Sequence, residues 1–298
     1  MGAYSNDTSL NILASYAYLG NNKRFEELAF DLHRKGKINL MIDSGAFTKH
    51  NAKSNFDFLT LNNYCNFLQK HKNECEKYVM LDVVGNESKS KANYEEMLRQ
   101  GLNPMFVLTM YDNDMDYFRY AIDNNPDCCV AGGATTKGPW MIKRFQTAYK
   151  ESKCKAQIHG LAYVTYPNML QLPLSSVDSS SWKIGALRYG SFSFFKDGLK
   201  STDIKSIRKN TRVPPKLLFM LEKCGITLSD FLCKSNHSGD VNIQSLMSIM
   251  AYLEYQNFCY KRGLRLFLAV SSYMDLAKIL YVKENINNLS YNEFKKIQ

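Results

Sequence analysis

The stretch KINLMIDSGAFTKH, residues 37–50, indicates both the fold class and a place for chemistry. Its apolar run, residues 38–42, ends abruptly in Asp43-Ser44-Gly45. A buried strand with this ending places a carboxylate where the chain turns, and catalytic groups often lie at that point in parallel-sheet and barrel enzymes. A strand end with an Asx turn explains the same residues, and the stretch alone favours that simpler interpretation.

Short apolar runs of the same kind recur along the chain and alternate with amphipathic, helix-like segments. The runs are residues 12–18, 38–42, 78–84, 105–110, 128–131, 156–162 and 174–177. Such alternation predicts parallel βα units, and a further run at 266–270 would supply the last strand of a closed barrel. We therefore predict an α/β fold, a TIM-like (β/α)8 barrel with a helical, basic insertion.

The predicted organisation is a single barrel domain, residues 1–298. Its core comprises 1–195 and 263–298, and 196–262 forms a helical, basic subdomain. In that subdomain Pro214-Pro215 would open one helix, because proline suits the first helical position. The amphipathic residues 241–262 predict a second, longer helix.

The net charge of +10 and the pI of about 9.1 favour an anionic partner, of which nucleic acid is the commonest. Residues 196–223 carry eight basic side chains against three acidic ones, so this short segment supplies half of the net charge. A solvated helix face would have a similar composition, and both interpretations stay open. The predicted nucleic-acid contacts are Lys196, Lys200, Lys205, Arg208, Lys209 and Arg212.

The eight cysteines accompany no secretory signal, because the first twenty residues lack a basic start and a long apolar run. No apolar run reaches the length that a membrane span needs. We therefore expect a cytoplasmic protein with reduced thiols. Cys224, Cys233, His237 and Cys259 are the nearest approach to a zinc set. Zinc usually takes closer pairs such as Cys-x2-Cys, so we favour buried thiols and expect no cofactor.

Several predicted strands end in aspartate, histidine or glycine. The residues at these ends are Asp43, Asp82, Gly132-Gly133, His159-Gly160 and Asp178. Three carboxylates at one end of a barrel would repel each other, so such clusters usually persist for chemistry or for binding donors. The pattern suits a reaction with two carboxylates at a sugar carbon, one a nucleophile and one a proton carrier. A divalent metal site is the rival explanation, since aspartate clusters also bind Mg²⁺.

Taken in order, the segments IDSGAF, VMLDVV, VAGGAT, HGLAYVTYPNML and SSVDSSSW resemble the motifs of the tRNA-guanine transglycosylase superfamily. The resemblance covers about residues 38–182 and looks closest to the phage DNA 7-deazaguanine transglycosylases (the DpdA group). It implies a barrel enzyme, a pentosyltransferase that exchanges guanine for a 7-deazaguanine (preQ-type) base in DNA. It also implies a phage or prophage origin, and hence the cytoplasm of the host.

The resemblance also implies roles for individual residues, carried over by motif position. Asp178 would be the nucleophile that attacks C1′, and Asp43 the general acid/base for the leaving and incoming bases. Asp82 would accept the donor edge of guanine, and the Gly132-Gly133 backbone would contact its carbonyl side. The other residues assigned to the base pocket are Ser44, Gly45, Phe47, Thr109, His159 and Gly160. Phe47 and His159 fit the barrel core or wall equally well.

Two positions depart from the family pattern. Ala46 stands where the usual motif has glycine. Thr109 stands near the motif position at which the tRNA enzymes have a glutamine. The zinc motif of the tRNA enzymes, three closely spaced cysteines and a distant histidine, has no counterpart. DNA is therefore the predicted partner, as a single strand or a flipped duplex nucleotide. The alternatives are the same exchange on tRNA (queuosine- or archaeosine-type) and a non-catalytic accessory subunit that binds a base or nucleic acid.

Overall fold

A computed structural model of the chain describes residues 10–52, 56–109, 114–131, 139–184, 191–196, 198–203, 207, 213–234 and 241–297. The strands are β1 Leu10–Ser15, β2 Ile38–Asp43, β3 Lys77–Tyr78, β4 Phe106–Thr109, β5 Asp127–Ala131, β6 Gln157–Gly160, β7 Leu174–Ser179, β8 Ser191–Phe195, β9 Leu199–Asp203 and β10 Arg265–Val270. Eight of them form one parallel sheet, and β8 and β9 form a separate antiparallel hairpin.

The parallel sheet is ordered β3-β2-β1-β10-β7-β6-β5-β4. A parallel bridge between Val79, just after β3, and Met105, just before β4, joins the two ends of this order. There the Met105 N–H donates to the Tyr78 carbonyl at 2.8 Å, and the Met80 N–H donates to the Met105 carbonyl at 3.0 Å. The sheet is therefore curled, with successive strands as neighbours. The fold class is α/β and TIM-like, which confirms the prediction.

Helices follow most strands of the sheet, and several begin at capping side chains. The helices are α1 Tyr16–Leu19, α2 Lys23–Arg34, α3 Ala46–Asn51, α4 Leu61–His71, α5 Glu87–Arg99, α6 Met115–Asn124, α7 Pro139–Glu151, α8 Pro215–Lys223, α9 Leu228–Lys234, α10 Val241–Tyr260, α11 Tyr273–Glu284 and α12 Tyr291–Lys295. Asn22, Asn86 and Asp114 each accept a hydrogen bond from the third N–H beyond them. These caps satisfy N–H groups that a helix start leaves without an intrahelical partner.

The core of the sheet is apolar on both faces of its strands. All six residues of β1 are buried, and Leu40, Val130 and Leu268 on three other strands are fully inaccessible to solvent. Parallel strands that are covered on both faces have continuous apolar sequences. The apolar runs in the sequence therefore predicted these strands. Each such side chain stabilises the fold by about 1.5–3 kcal/mol relative to an exposed position.

The chain divides into two compact units. The barrel unit comprises the described residues of Ser9–Asp178 and Gly263–Ser272, and a second unit comprises those of Ser179–Arg262 and Tyr273–Gln298. This division differs from the predicted subdomain, 196–262, because the second unit begins nearer Asp178 and includes α11 and α12. In the part of the chain that the structure describes, no helix combines the length and apolar character needed to cross a bilayer.

The second unit is not wholly helical, and this corrects the helical prediction for its first residues. The β8–β9 hairpin pairs Phe194 with Lys200 and Phe195 with Leu199. Phe195 packs on α10, where its ring centroid lies 5.6 Å from that of Tyr255. A Ser/Phe alternation followed by Asp-Gly is a hairpin signal that competes with the helical reading of this segment. Pro215 begins α8 as predicted.

Candidate active site

Asp43, Asp82 and Asp178 approach one another at the carboxyl ends of the barrel strands. Asp43 is the last residue of β2, Asp178 lies on β7, and Asp82 follows the short strand β3. The buried Cys129 thiol on β5 has its pKa raised first by burial and then by neighbouring charges that include all three carboxylates. The three aspartates therefore all lie within electrostatic reach of the Cys129 thiol.

Asp43 ends its strand in an Asx turn. Its Oδ2 accepts a hydrogen bond of 2.9 Å from the Gly45 N–H. Gly45 has φ of +84°, and a Cβ there would lie 2.5 Å from the Ala17 Cβ and 2.8 Å from the Ser15 Oγ. Glycine is therefore required both for the left-handed conformation and for the close approach to the end of β1. The simpler reading of the DSG sequence is correct as local structure, and it leaves Asp43 beside two other carboxylates.

The environment of Asp43 favours its protonated form. Burial raises the pKa of Asp43 above its ordinary value, and the charge of Asp178 raises it further. The neighbouring Ser15 hydroxyl and the Gly45 N–H lower the pKa but do not cancel the rise. Desolvation of a carboxylate next to another carboxylate has this effect in general. Asp43 thus takes up a proton more readily than an ordinary aspartate does.

Asp82 lies in a segment without regular secondary structure, and hydrogen bonds to α5 hold this segment in place. The predicted strand 78–84 pairs only as far as Met80, and beyond it the backbone binds side chains of the helix. The Asn93 amide donates to the Leu81 carbonyl at 2.9 Å, and the Val83 N–H donates to the Ser90 Oγ at 2.9 Å. Burial, followed by the charge of Asp43, raises the pKa of Asp82 to about 6.

Asp178 is buried and held by two N–H donors. Its Oδ1 lies 3.2 Å from the His159 Nε2 and accepts a hydrogen bond of 2.7 Å from the Ala162 N–H. The other ring nitrogen of His159, Nδ1, lies 2.8 Å from the Ser176 Oγ. His159 was predicted in the base pocket, but both of its ring nitrogens meet protein groups and its side chain is 1% exposed.

The remaining predicted pocket residues that the structure describes differ in their exposure and contacts. Phe47, in the first turn of α3, is 59% exposed, so its ring is available to a ligand. Ser44 is buried, and Gly160 is packed so closely that a Cβ would lie 3.3 Å from Phe145 and Tyr163. Thr109 ends β4, where its carbonyl accepts a hydrogen bond of 2.6 Å from the Arg144 guanidinium.

Some predicted residues lie outside the described part of the chain, and their roles stay predictions. They are Gly132, Gly133, Lys205, Arg208, Lys209, Arg212, His237 and the side chain of Cys233. Lys196 and Lys200 are described and exposed, at the turn end of the hairpin. Cys224 and Cys259 are buried, which raises the pKa of each thiol to about 12. Among the described residues, no group of three or more His, Cys, Asp or Glu side chains could hold a metal ion.

Sequence reasoning missed Ser15, Ser176 and Ala162. The apolar run 12–18 hid the end of β1 because α1, which follows at once, is also buried. Ser176 meets His159 only because the register between β6 and β7 shifts between Ile158 and His159. Ala162 contributes a backbone N–H from a left-handed residue, with φ of 53°, which no side-chain pattern announces.

No protein-family model matches this chain, and no curated protein matches it significantly in sequence. The chemistry is therefore inferred from the site itself. The site combines three carboxyl groups. Asp43 has a raised pKa, Asp178 is buried and accepts hydrogen bonds from N–H donors, and Asp82 interacts with Asp43. Two carboxyl groups in different environments are the usual equipment of enzymes that break bonds at a sugar carbon.

Proposed function

We propose that this protein is a base-exchange transglycosylase that replaces guanine by a 7-deazaguanine in DNA, through a covalent intermediate between Asp178 and deoxyribose. The observation that carries the proposal is the pairing of Asp43 and Asp178, two interacting carboxyl groups in unlike environments. The order of the surrounding motifs, which resembles that of the guanine transglycosylases, supports the same conclusion.

The reaction divides the chemistry between these two residues. A carboxylate oxygen of Asp178 forms a bond to C1′ as the bond from C1′ to N9 of guanine breaks, and Asp43 gives its proton to the departing base. Asp43 then takes the N9 proton of the incoming 7-deazaguanine, which attacks C1′ and releases the Asp178 carboxylate. Two displacements retain the configuration at C1′, and a raised pKa suits Asp43 to the first step.

Asp82 provides the basis for choosing guanine. Guanine presents adjacent N–H donors on its Watson–Crick edge, and one carboxylate can accept both. Adenine lacks that donor pair, so it would leave the polar groups of the pocket unsatisfied. The exposed ring of Phe47, close along the chain to Asp43, is available to stack on the base.

The basic charge of the chain supports a nucleic-acid substrate, and the absence of the tRNA enzymes' zinc motif from the sequence favours DNA over tRNA. A stacked nucleotide cannot reach carboxylates at the end of a barrel, so the substrate is a flipped or single-stranded nucleotide. The exposed Lys196 and Lys200 suit contacts with the phosphate backbone.

The test is incorporation of labelled guanine into duplex DNA, single-stranded DNA and tRNA by the purified protein, with and without EDTA. Asp178→Asn is expected to lower incorporation by about 1,000-fold or more, because the nucleophile is lost. Its amide oxygen can still accept from His159 and Ala162, so the fold is retained. Asp127→Asn is the matched control, since Asp127 begins β5 and pairs with Lys77 at the opposite end of the strands.

Each outcome selects one interpretation. Label in DNA that Asp178→Asn abolishes, with a protein–DNA adduct on a denaturing gel, supports the proposal. Label only in tRNA favours the same exchange on tRNA. Loss of activity in EDTA favours the metal site. No label in any substrate, with guanine bound in equilibrium dialysis, favours the non-catalytic accessory subunit.

The basic segment has its own test. Replacing Lys205, Arg208, Lys209 and Arg212 by glutamine is expected to weaken binding to single-stranded DNA and to flatten its salt dependence, by about 3 in the slope of log K against log salt. The matched control removes four exposed charges elsewhere. These are Lys23, Lys35, Lys155 and Lys296. If the two sets of substitutions weaken binding to single-stranded DNA equally, the basic segment is an ordinary solvated surface.

A further inference from the structure

Ser176, His159 and Asp178 form a continuous buried chain of hydrogen bonds. The Ser176 Oγ lies 2.8 Å from the His159 Nδ1, and the His159 Nε2 lies 3.2 Å from the Asp178 Oδ1. The three residues are 5%, 1% and 7% exposed. Polar groups this deeply buried need partners, and here each ring nitrogen has one.

The Asp178 carboxylate, at the end of this series of hydrogen bonds, determines which nitrogen of the His159 ring carries the proton. A carboxylate can only accept, so the His159 Nε2 must donate to Asp178. A neutral imidazole has one N–H, so Nδ1 accepts, and the Ser176 hydroxyl is the donor. The bonds therefore run in one direction, from the Ser176 hydroxyl through His159 to Asp178.

The backbone adds a second donor to the same oxygen. The Ala162 N–H donates to Asp178 Oδ1 at 2.7 Å, from a residue whose φ is 53°. A non-glycine residue in that region costs about 1–3 kcal/mol and is characteristic of functional sites. Oδ1 thus receives two donors, and no hydrogen bond from the described residues reaches Oδ2. Oδ2 is the oxygen left for attack on C1′.

We propose that Ser176 and His159 are positioning residues, which hold the Asp178 carboxylate in one orientation so that Oδ2 attacks the sugar. This role rests on the proposed function for its chemical consequence, but the orientation itself can be measured without any reaction. The two groups that donate to Asp178, the His159 Nε2–H and the Ala162 N–H, also favour the second step. They stabilise the Asp178 carboxylate that is released when the incoming base attacks C1′.

The surroundings of His159 limit its other uses. Its ring meets the Phe267 ring edge-to-face, with centroids 6.0 Å apart, and Cys129 lies opposite it on β5. Among the described residues, the charged groups that interact with this region include Asp43 and Asp178. A ring held between apolar and carboxylate neighbours, with both nitrogens occupied, acts through Asp178 and not directly on the substrate.

Two pairs of variants test the role in the exchange of labelled guanine. His159→Leu removes both bonds and is expected to lower kcat by about 10–100-fold, the usual effect of an orienting partner. His159→Gln keeps an N–H donor near the position of Nε2 and is expected to recover most of that loss. Ser176→Ala is expected to lower kcat less, and Ser176→Thr, which keeps the hydroxyl, is expected to restore it. KM for guanine is expected to stay unchanged, because Asp82 binds the base.

A measurement independent of activity keeps this proposal separate from the proposed function. In protein with ¹⁵N-labelled histidine, the His159 signal is identified among the five histidines by its loss in His159→Gln. We expect Nε2–H in the wild type near neutral pH. In Ser176→Ala we expect the same tautomer, because Asp178 still accepts from Nε2, with a changed Nδ1 chemical shift that reports the lost hydrogen bond. Nδ1–H in the wild type, or an unchanged Nδ1 chemical shift and an unchanged kcat in Ser176→Ala, would overturn the proposal. The expected tautomer and shift change without exchange on any nucleic acid would support the orientation of Asp178 and refute the transglycosylase.

Discussion

The charge of Asp43 reaches Asp82 and, together with burial, raises the pKa of Asp82 to about 6 from an ordinary value of 3.8. Asp43 ends β2, and Asp82 follows β3, the neighbouring strand of the sheet. A carboxylate that is harder to ionise in the folded protein than in the unfolded chain lowers stability. Residues kept at such a cost are characteristic of functional sites.

Asp82→Asn is therefore expected to raise the free energy of unfolding by about 0.5–2 kcal/mol at neutral pH. Folded protein keeps the Asp82 proton up to about pH 6, whereas the unfolded chain releases it near 3.8. The wild type thus loses stability as pH rises between these values, and the gain from asparagine is complete above about pH 6 and absent below about pH 4. Urea unfolding at both ends of this range measures it. The prediction fails if the gain is the same at both.

Asp43→Asn is expected to lower formation of the Asp178–DNA adduct by about 100-fold or more, because the departing guanine loses its proton donor. In the wild type, adduct formation in a single turnover should fall as pH rises through the pKa of Asp43, which burial raises. The asparagine variant should lose that basic limb. Quenched-flow adduct assays from about pH 5 to about pH 9 provide the comparison. A basic limb that persists in Asp43→Asn would assign the proton to another group.

The fold could be predicted from the sequence because the strands of the sheet are buried on both faces. Each predicted run overlaps a strand of the parallel sheet, including the late run that corresponds to β10. The ends of the strands could be predicted less well. Residues 12–18 read as one strand, although Ser15 ends β1 and Tyr16 begins the buried helix α1. Periodicity alone does not separate a buried strand from a short buried helix.

The candidate site could be predicted from the sequence only in part. Asp43, Asp82 and Asp178 follow apolar runs, and parallel strands bring their carboxyl ends together. The partners of Asp178 depend on register instead. The shift between Ile158 and His159 brings Ser176 opposite the histidine, and only pairing between two distant segments decides such a shift. The Asx turn at Asp43 and the reaction attributed to it use the same residues, so the sequence supported both readings.

Cys154 is expected to be the fast-reacting thiol among the cysteines whose side chains are described. It is exposed, whereas Cys65, Cys75, Cys128, Cys129, Cys224 and Cys259 are buried. Burial raises the pKa of Cys65 to about 11 and that of Cys75 to about 12, so few of these thiols ionise at neutral pH. Stopped-flow labelling with a chromogenic disulfide should lose one fast equivalent in Cys154→Ser. Cys233→Ser is the control, and no change in Cys154→Ser would contradict the burial pattern.

Gly45→Ala is expected to destabilise the protein by about 3 kcal/mol, from two separate causes. A left-handed φ costs an alanine about 1–2 kcal/mol. The new methyl would also lie 2.5 Å from the Ala17 Cβ in α1 and 2.8 Å from the Ser15 Oγ at the end of β1, and backbone must move to relieve these contacts. Gly101→Ala is the matched control, because Gly101 has φ of +70° with nothing within 4 Å of an added Cβ, and it is expected to cost about 1 kcal/mol. Urea unfolding of both variants separates conformational cost from steric cost. Since Gly45 also donates to the Asp43 carboxylate, Gly45→Ala should impair base exchange well beyond the effect of Gly101→Ala. Equal losses of stability in the two variants would show that β1 and the DSG turn are not packed as closely as these distances require.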